Sequence, residues 1–432
     1  MTRRSPLREF LSTESAGGAL LVVGAIVAMV WANGPWSHSY ETFWRSDVRI
    51  AVSDHVLHMD LRHWVNDGLM TVFFFVVGLE IKRELAGGHL KSRRAAALPI
   101  AGALGGMIVP ALIYLAIAGR HAARGWAVPT ATDIALALGV IALAGNAVPA
   151  RQRVFLLALA IVDDIGAIVV IAVAYSNDVD AVWLLIAAAA FALAAAARAV
   201  GVRWTVVYVG AGLLLWLGLH EGGLHATLTG VSMGLLAPTT PHTPPELIDV
   251  DELVDVSTVE HARATTDIAR RSVSVVEWLE HGLHPWTSYA IVPVFAVANA
   301  GVSLSVDGIG DAARSPVAWA IVAGLVAGKP IGIGIARRLA TRSGLAEPIE
   351  PIEPIDGSSR RQDAGIGAAA GVGFTVALFI AELAFRSDAD RRDAKIGILV
   401  ASALSAAASL ALLRDRRPAT ASKVPPTEIN SA

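Results

Sequence analysis

The chain has 432 residues, of which 54% are hydrophobic and only 17% charged, and its mean hydropathy is +0.57. That composition is too apolar for a soluble protein and fits a polytopic membrane protein. A net charge of -2 offers no basic excess for nucleic acid, and the absence of cysteine excludes disulfides, thiolate metal sites and a cysteine nucleophile.

Windows long enough to cross a bilayer, about 20 residues or slightly fewer, fall at 16–32, 61–81, 96–118, 124–145, 154–175, 181–199, 203–219, 223–237, 277–300, 315–336, 363–385 and 394–413. They predict twelve spans, or eleven if the short seventh and eighth merge across His220-Glu-Gly-Gly223. The start, Met1 to Arg8 followed by an apolar stretch, has the form of a signal peptide; we read it as the first transmembrane helix. The second span closes on Phe73-Phe-Phe-Val-Val-Gly-Leu-Glu-Ile-Lys-Arg-Glu-Leu85. There Glu80 and Glu84 share a helix face, and Lys82 and Arg83 mark the cytoplasmic side. As bare chemistry this is a charged helix end.

The fourth span contains Ala127-Val-Pro-Thr-Ala-Thr-Asp-Ile-Ala135. Pro129 removes a backbone donor, while Thr130, Thr132 and Asp133 add polar groups at membrane depth. A proline kink is the plainer reading, but a carboxylate does not accompany a mere kink, so an unwound segment lining a cavity is favoured. In the fifth span Asp163 and Asp164 lie side by side in the apolar run 155–174. A charge near the bilayer centre costs about 2.5 to 3.5 kcal/mol even on a lenient insertion scale. An adjacent pair therefore marks a hydrated cavity, an ion path or a proton relay.

His220-Glu-Gly-Gly-Leu-His225 approximates a zinc-protease helix but has one residue too many between its histidines, which places them on different faces. His225 followed by Thr227 reads equally as helix packing. In the ninth span, Glu280-His-Gly-Leu-His284 puts Glu280, His281 and His284 near one face at the cytoplasmic end, either as a solvated helix end or as a pH-responsive cluster. Lys329, in Gly324-Leu-Val-Ala-Gly-Lys-Pro330, lacks the spacing of a phosphate-binding loop. It is an intramembrane charge whose natural partner is an aspartate. The eleventh span is weakened by the glycines of Gly365-Ile-Gly-Ala-Ala-Ala-Gly-Val-Gly-Phe-Thr375, Gly371 and Gly373 among them. Close helix packing would also use such glycines. Their position decides for a break: spans three to five and ten to twelve each have an interrupted middle helix, the pattern of inverted-topology repeats with a site at the two breaks.

Residues 1–418 thus read as one polytopic domain with cytoplasmic loops at 238–271 and 343–362. The first loop is rich in Pro, Thr and acids, the second carries a Glu-Pro-Ile repeat at 347–355 that predicts an extended form, and 419–432 form a polar tail predicted to be disordered. With the N-terminus inside, cytoplasmic segments hold 24 of the 35 Lys and Arg and outer segments 10, with Lys329 inside a helix. The positive-inside rule supports twelve spans and two cytoplasmic termini. Arg386, Arg391, Arg392 and Lys395 disagree, falling outside, where Asp388, Asp390 and Asp393 could offset them.

With these residues assembled, the chain closely resembles the NhaA family of sodium/proton antiporters from Leu11 to about Leu413. The matching stretches are Trp64-Val-Asn-Asp-Gly-Leu-Met70, Val77-Gly-Leu-Glu-Ile-Lys-Arg-Glu-Leu85, Pro129-Thr-Ala-Thr-Asp-Ile-Ala135, Ala160-Ile-Val-Asp-Asp-Ile-Gly166, His225-Ala-Thr-Leu-Thr-Gly230, Glu280-His-Gly-Leu-His-Pro-Trp286, Ala298-Asn-Ala-Gly301, Gly328-Lys-Pro-Ile-Gly332 and Gly371-Val-Gly-Phe-Thr375. The family is itself a standard case of inverted repeats, so agreement on that point is not independent.

The resemblance implies an all-α integral membrane protein of about twelve helices, with the fourth and eleventh discontinuous and crossing at mid-membrane. It makes Asp164 the principal Na+ ligand and proton carrier. It makes Asp163 either a second ligand or the partner of Lys329. Asp133 and Lys329 would offset the charged ends of the half-helices, and Thr132 would line the site. Glu80, Arg83, Glu84, Glu280, His281 and His284 would surround a cytoplasmic funnel where pH is sensed, with His225 in a segment linked to pH response. It also implies a bacterial cytoplasmic membrane and a homodimer joined through an outer strand hairpin within Arg45 to Met59. The longer cytoplasmic loops and Gly282 inside the histidine cluster depart from the family pattern, so its activation profile does not carry over.

Na+, Li+ and H+ are then the expected ligands, with membrane lipid around the chain, no nucleic acid and no cofactor. Carboxylate oxygens suit a hard cation, and protonation removes the charge that binds it. The expected function is electrogenic Na+(Li+)/H+ exchange that exports sodium and regulates internal pH and sodium; a sodium-coupled solute symporter is the alternative. An intramembrane aspartyl protease fits less well. Adjacent aspartates on a helix point about 100° apart and do not readily share a water.

Overall fold

The computed structural model describes residues 6–52, 55–88, 90–145, 148–176, 179–202, 204–240, 273–344 and 360–414. Most of the 238–271 loop, the Glu-Pro-Ile repeat and the 419–432 tail lie outside the described residues.

Helix α1 (Pro6–Asn33) leads to a short helix α2 (Ser37–Trp44) and a hairpin of β1 (Asp47–Val52) and β2 (His55–Asp60). The strands pair antiparallel from Asp47 opposite Asp60 to Val52 opposite His55, a hairpin in the segment where the sequence predicts one. Asp60 then accepts the backbone N–H of His63 at 2.7 Å and caps α3 (Leu61–Ala86). The chain continues through α4 (Arg93–Ala118), the 3₁₀ segment α5 (Ala123–Thr130), α6 (Ile134–Leu143), α7 (Ala150–Ala174), α8 (Ala181–Ala199), α9 (Thr205–Glu221) and α10 (Leu228–Leu236). Helix α11 covers 275–299 as Val275–Trp286, a π turn Thr287–Ile291 and Val292–Asn299. After the short α12 (Val306–Arg314) come α13 (Pro316–Arg342), α14 (Arg360–Ala370), α15 (Phe374–Ala384) and α16 (Asp388–Leu413).

Seven of these helices are long and apolar enough to cross a membrane alone, and the bent pairs α5–α6 (42°) and α14–α15 (46°) bring the count to nine. The other three predicted windows hold α9, apolar but only 17 residues long, α10 with 9, and α11, whose first half carries Glu277, Glu280, His281 and His284 among apolar residues. Large apolar side chains stand exposed around the outside, among them Val206, Val173 and Leu185. Exposure on that scale suits a surface bathed in lipid.

The two bent pairs sit in equivalent places, α5–α6 between α4 and α7, α14–α15 between α13 and α16. Glycine holds the halves together where α4 crosses α13. A Cβ on Gly105 would collide with the carbonyl of Gly332, and one on Gly332 with the carbonyl of Gly105. This reciprocal approach relates one position in each unit, as expected for repeats facing each other across a two-fold axis. Helix α15 runs through the middle, buried at nearly every position.

Three of the cations that oppose the positive-inside rule, Arg391, Arg392 and Lys395, are held by acids. Arg391 reaches Glu382 at 3.3 Å and Asp388 at 3.1 Å, Arg392 reaches Asp311 at 3.4 Å and Asp393 at 3.3 Å, and Lys395 pairs with Glu382. Asp388 and Asp393 act as the sequence predicts, whereas Glu382 and Asp311 are added by the fold.

Candidate functional site

Between α5 and α6 the backbone is extended, with Ala131 at φ −80°, ψ 150° and Asp133 at φ −93°, ψ 105°. Pro129, just before it, has no N–H to continue a helix. On the facing segment the break falls at 371–373, and the Asp133 N–H donates to the Val372 carbonyl at 2.7 Å, tying the two breaks together. Gly371 and Gly373 are there for space, since neither has a positive φ. A Cβ on Gly371 would lie 2.5 Å from the Leu325 carbonyl oxygen, and one on Gly373 3.0 Å from that of Ala131.

Asp133 joins two helix starts. One carboxylate oxygen accepts Leu136 N–H at 3.0 Å in α6, and the other accepts the N–H and hydroxyl of Thr375 in α15 at 3.0 and 2.7 Å. A single negative charge thus meets the positive ends of two helix dipoles. Thr375 was visible in its motif but not predicted as a site residue, because its partner comes from the other repeat.

On α7, Asp163 and Asp164 are 1% and 4% exposed and turn to different neighbours. The fully buried Lys329 ammonium lies 2.5 Å from Asp163 and donates to the Thr132 hydroxyl at 2.8 Å. That hydroxyl is 2.6 Å from the same Asp163 oxygen and 2.9 Å from the Ala370 carbonyl at the end of α14, so its one proton serves either. Lys329 follows a π turn, Gly324–Gly328, and precedes Pro330, whose missing N–H disrupts regular α-helical bonding.

Asp164, rotated about 100° from Asp163, lines a cleft of about 650 Å³. Thr132, Asp133 and Thr375 share that wall; Glu80, His284, Thr287 and Ser288 supply polar groups on the facing helices. No group among the described residues donates a hydrogen bond to the Asp164 carboxylate. In a largely apolar lining that includes Phe73, Val76, Val77 and Val292, the cleft's carboxylate and hydroxyl oxygens are the groups suited to a hard cation or a proton. The protease reading gains no support, because Asp163 is committed to Lys329 and Asp133 to the two helix starts.

One helical turn before His284, Glu280 pairs with Arg83, which also lies 3.7 Å from Glu84, joining α3 to α11. Glu84 and Glu280 are buried, and His284 reaches the cleft. The predicted face is only partly formed: His281 is exposed, one position and about 100° away from Glu280. His225 is placed apart, with Nε2 3.0 Å from the Tyr175 carbonyl at the end of α7. The pair of buried Lys395 with part-buried Glu382 was missed in the sequence, although the reasoning that singled out Asp163 applies equally to a glutamate in span eleven and a lysine in span twelve.

The family model described as Na+/H+ antiporter 1 matches residues 8–413. A Na(+)/H(+) antiporter NhaA of Rhodopirellula baltica is 46% identical over 94% of this chain and 93% of its own. The NhaA 2 antiporter of Sorangium cellulosum is 44% identical over 98% and 92%, and the NhaA antiporter of Escherichia coli O139:H28 is 43% identical over 95% and 98%. With the whole fold and both helix breaks covered by these matches, the chain belongs to the NhaA family of Na+/H+ antiporters.

Proposed function

We propose that this membrane protein exchanges Na+ for H+ at Asp164. The observation that carries the reading is the division of the aspartate pair: Lys329 neutralises Asp163, while Asp164 alone of the two faces the cleft. A bare charge at a buried position is costly. Asp164 therefore holds a cation or a proton, and the two compete for the same oxygens. Coupling follows from that competition without a separate gate for each ion. The units built on the broken helices then turn the site from one side to the other, as inverted-repeat transporters do, this family being a standard example.

In the same reading Asp163, Asp133 and Thr132 complete the ion site, Li+ is accepted with Na+, and exchange is electrogenic, more than one proton moving for each cation. The transporter exports sodium against proton entry and so regulates internal pH and sodium. Glu80, Arg83, Glu84, Glu280, His281 and His284 tune it at the cytoplasmic mouth, with His225 at the opposite end. It resides in the bacterial cytoplasmic membrane with both termini inside, a placement that rests on the 24-to-10 distribution of basic residues. Two copies pair through the hairpin, since a lone two-stranded ribbon is marginal in water and each strand has a free edge. A sodium-coupled symporter finds no support in the family's exchange activity.

In inverted vesicles holding a preformed pH gradient, added Na+ is expected to collapse the gradient, and Asp164→Asn to abolish that response. Full exchange by the variant would refute the assignment.

A further inference from the structure

The cleft has two walls, and only one belongs to the helix-break units. On the wall carrying Asp164 the other oxygens are engaged: Thr132 with Lys329 and Asp163, Thr375 with Asp133, and Asp133 with two helix starts. The facing side is formed by α1, α3 and α11, and on α11 the π turn begins at Thr287, where both Thr287 and Ser288 line the cleft. Thr287 gives its hydroxyl proton to the His284 carbonyl at 2.8 Å. The Ser288 hydroxyl takes no hydrogen bond among the described residues and is not fully buried.

Its position is nevertheless fixed. Gly17 of α1 packs against Ser288 so closely that a Cβ on Gly17 would come within 2.9 Å of the Ser288 Cβ. The glycine seats the serine stem beside the cleft, which both residues line. A π turn in a membrane helix is frequently a functional feature. Here it accompanies two adjacent hydroxyl residues on one wall, in an apolar stretch where packing alone would be satisfied by Ala.

We propose that Ser288 is a Na+ ligand contributed from outside the helix-break units, completing the shell around a cation held by Asp164 when the site faces the cytoplasm. This rests on the exchange reading above. Na+ prefers hard oxygen donors, and a neutral hydroxyl adds one without adding charge. Because Ser288 sits on α11 and Asp164 on α7, relative movement of the units separates the two oxygens. The ligand is present in one facing and absent in the other, so it strengthens cation capture at the cytoplasmic face and leaves the outer face unaffected. Protons need no such shell, and their binding to Asp164 is independent of Ser288.

The test is Ser288→Ala, which keeps the Cβ packed against Gly17 and removes only the oxygen. Full-length protein in proteoliposomes of defined orientation is assayed for Na+-driven proton flux from each face. The apparent KM for Na+ is expected to rise roughly fivefold, the equivalent of one hydrogen-bond-sized contact, when Na+ is offered at the cytoplasmic face. Maximal rate, the proton affinity in the absence of Na+ and the KM at the outer face stay as in the wild type. Gly17→Ala, which crowds the same stem, is expected to shift KM at the same face in the same direction. An unchanged cytoplasmic KM in Ser288→Ala, or an equal rise at both faces, overturns the proposal while leaving exchange at Asp164 standing. Absence of Na+-driven proton flux in the wild type would instead overturn both.

Discussion

Lys329 donates to Asp163 and to Thr132 and is wholly buried, so the three side chains stand or fall as a unit. Removing one partner of a buried ion pair leaves an uncompensated charge and costs about 3 to 5 kcal/mol. Lys329→Leu is therefore expected to lower thermal stability in detergent by several degrees or more, and Asp163→Asn combined with Lys329→Gln to recover most of the loss. A single variant as stable as the wild type would show that the pair is not closed in the resting protein. Asp163 retains one oxygen, Oδ1, without a hydrogen bond among the described residues, beside the residue that faces the cleft. It is the point at which a cation on Asp164 could draw the second carboxylate into its shell and loosen Lys329.

Both broken helices were readable because each break carries a local cause: Pro129 and Asp133 in one, paired glycines in the other. What sequence spacing supplies is the azimuth of a side chain on its own helix, which is why the two aspartates were seen to diverge. It does not supply the neighbour, so the pairing of Lys329 with Asp163 and the bridge from Asp133 to Thr375 waited for the fold. The π turns at Thr287–Ile291 and Gly324–Gly328 were equally hidden, since a single added residue leaves hydrophobic periodicity almost unchanged. Within α13, close packing makes one glycine indispensable and its neighbour optional. Gly332 lies against the backbone of Gly105, whereas a Cβ on Gly334 meets nothing within 4 Å. Gly332→Ala is expected to destabilise the protein by about 1 to 3 kcal/mol through overpacking, and Gly334→Ala to leave it unchanged or gain about 0.5 to 1 kcal/mol. Equal melting temperatures for the two variants would contradict the account of how the repeats interlock.

At the scale of the molecule, the two interlocked units hold Asp133, Asp163, Asp164, Lys329, Asp393 and Lys395, while buried Glu84 and Glu280 lie on the flanking helices, and α1, α3 and α11 close the cleft against the units. The arrangement makes one carboxylate the place where two gradients meet. If Asp164 is shared between Na+ and H+, binding of one must expel the other, and linkage sets the size of the effect: each unit of acidification weakens Na+ binding by about tenfold per competing proton once the site is protonated. Above the pH at which the site loses its proton, Na+ affinity levels off. Equilibrium Na+ binding to the purified full-length protein across pH, in the wild type and in Asp164→Asn, tests this most directly. The account predicts affinity that falls with acidification in the wild type and no detectable specific binding in the variant; binding that ignores pH, or that survives Asp164→Asn, would contradict it.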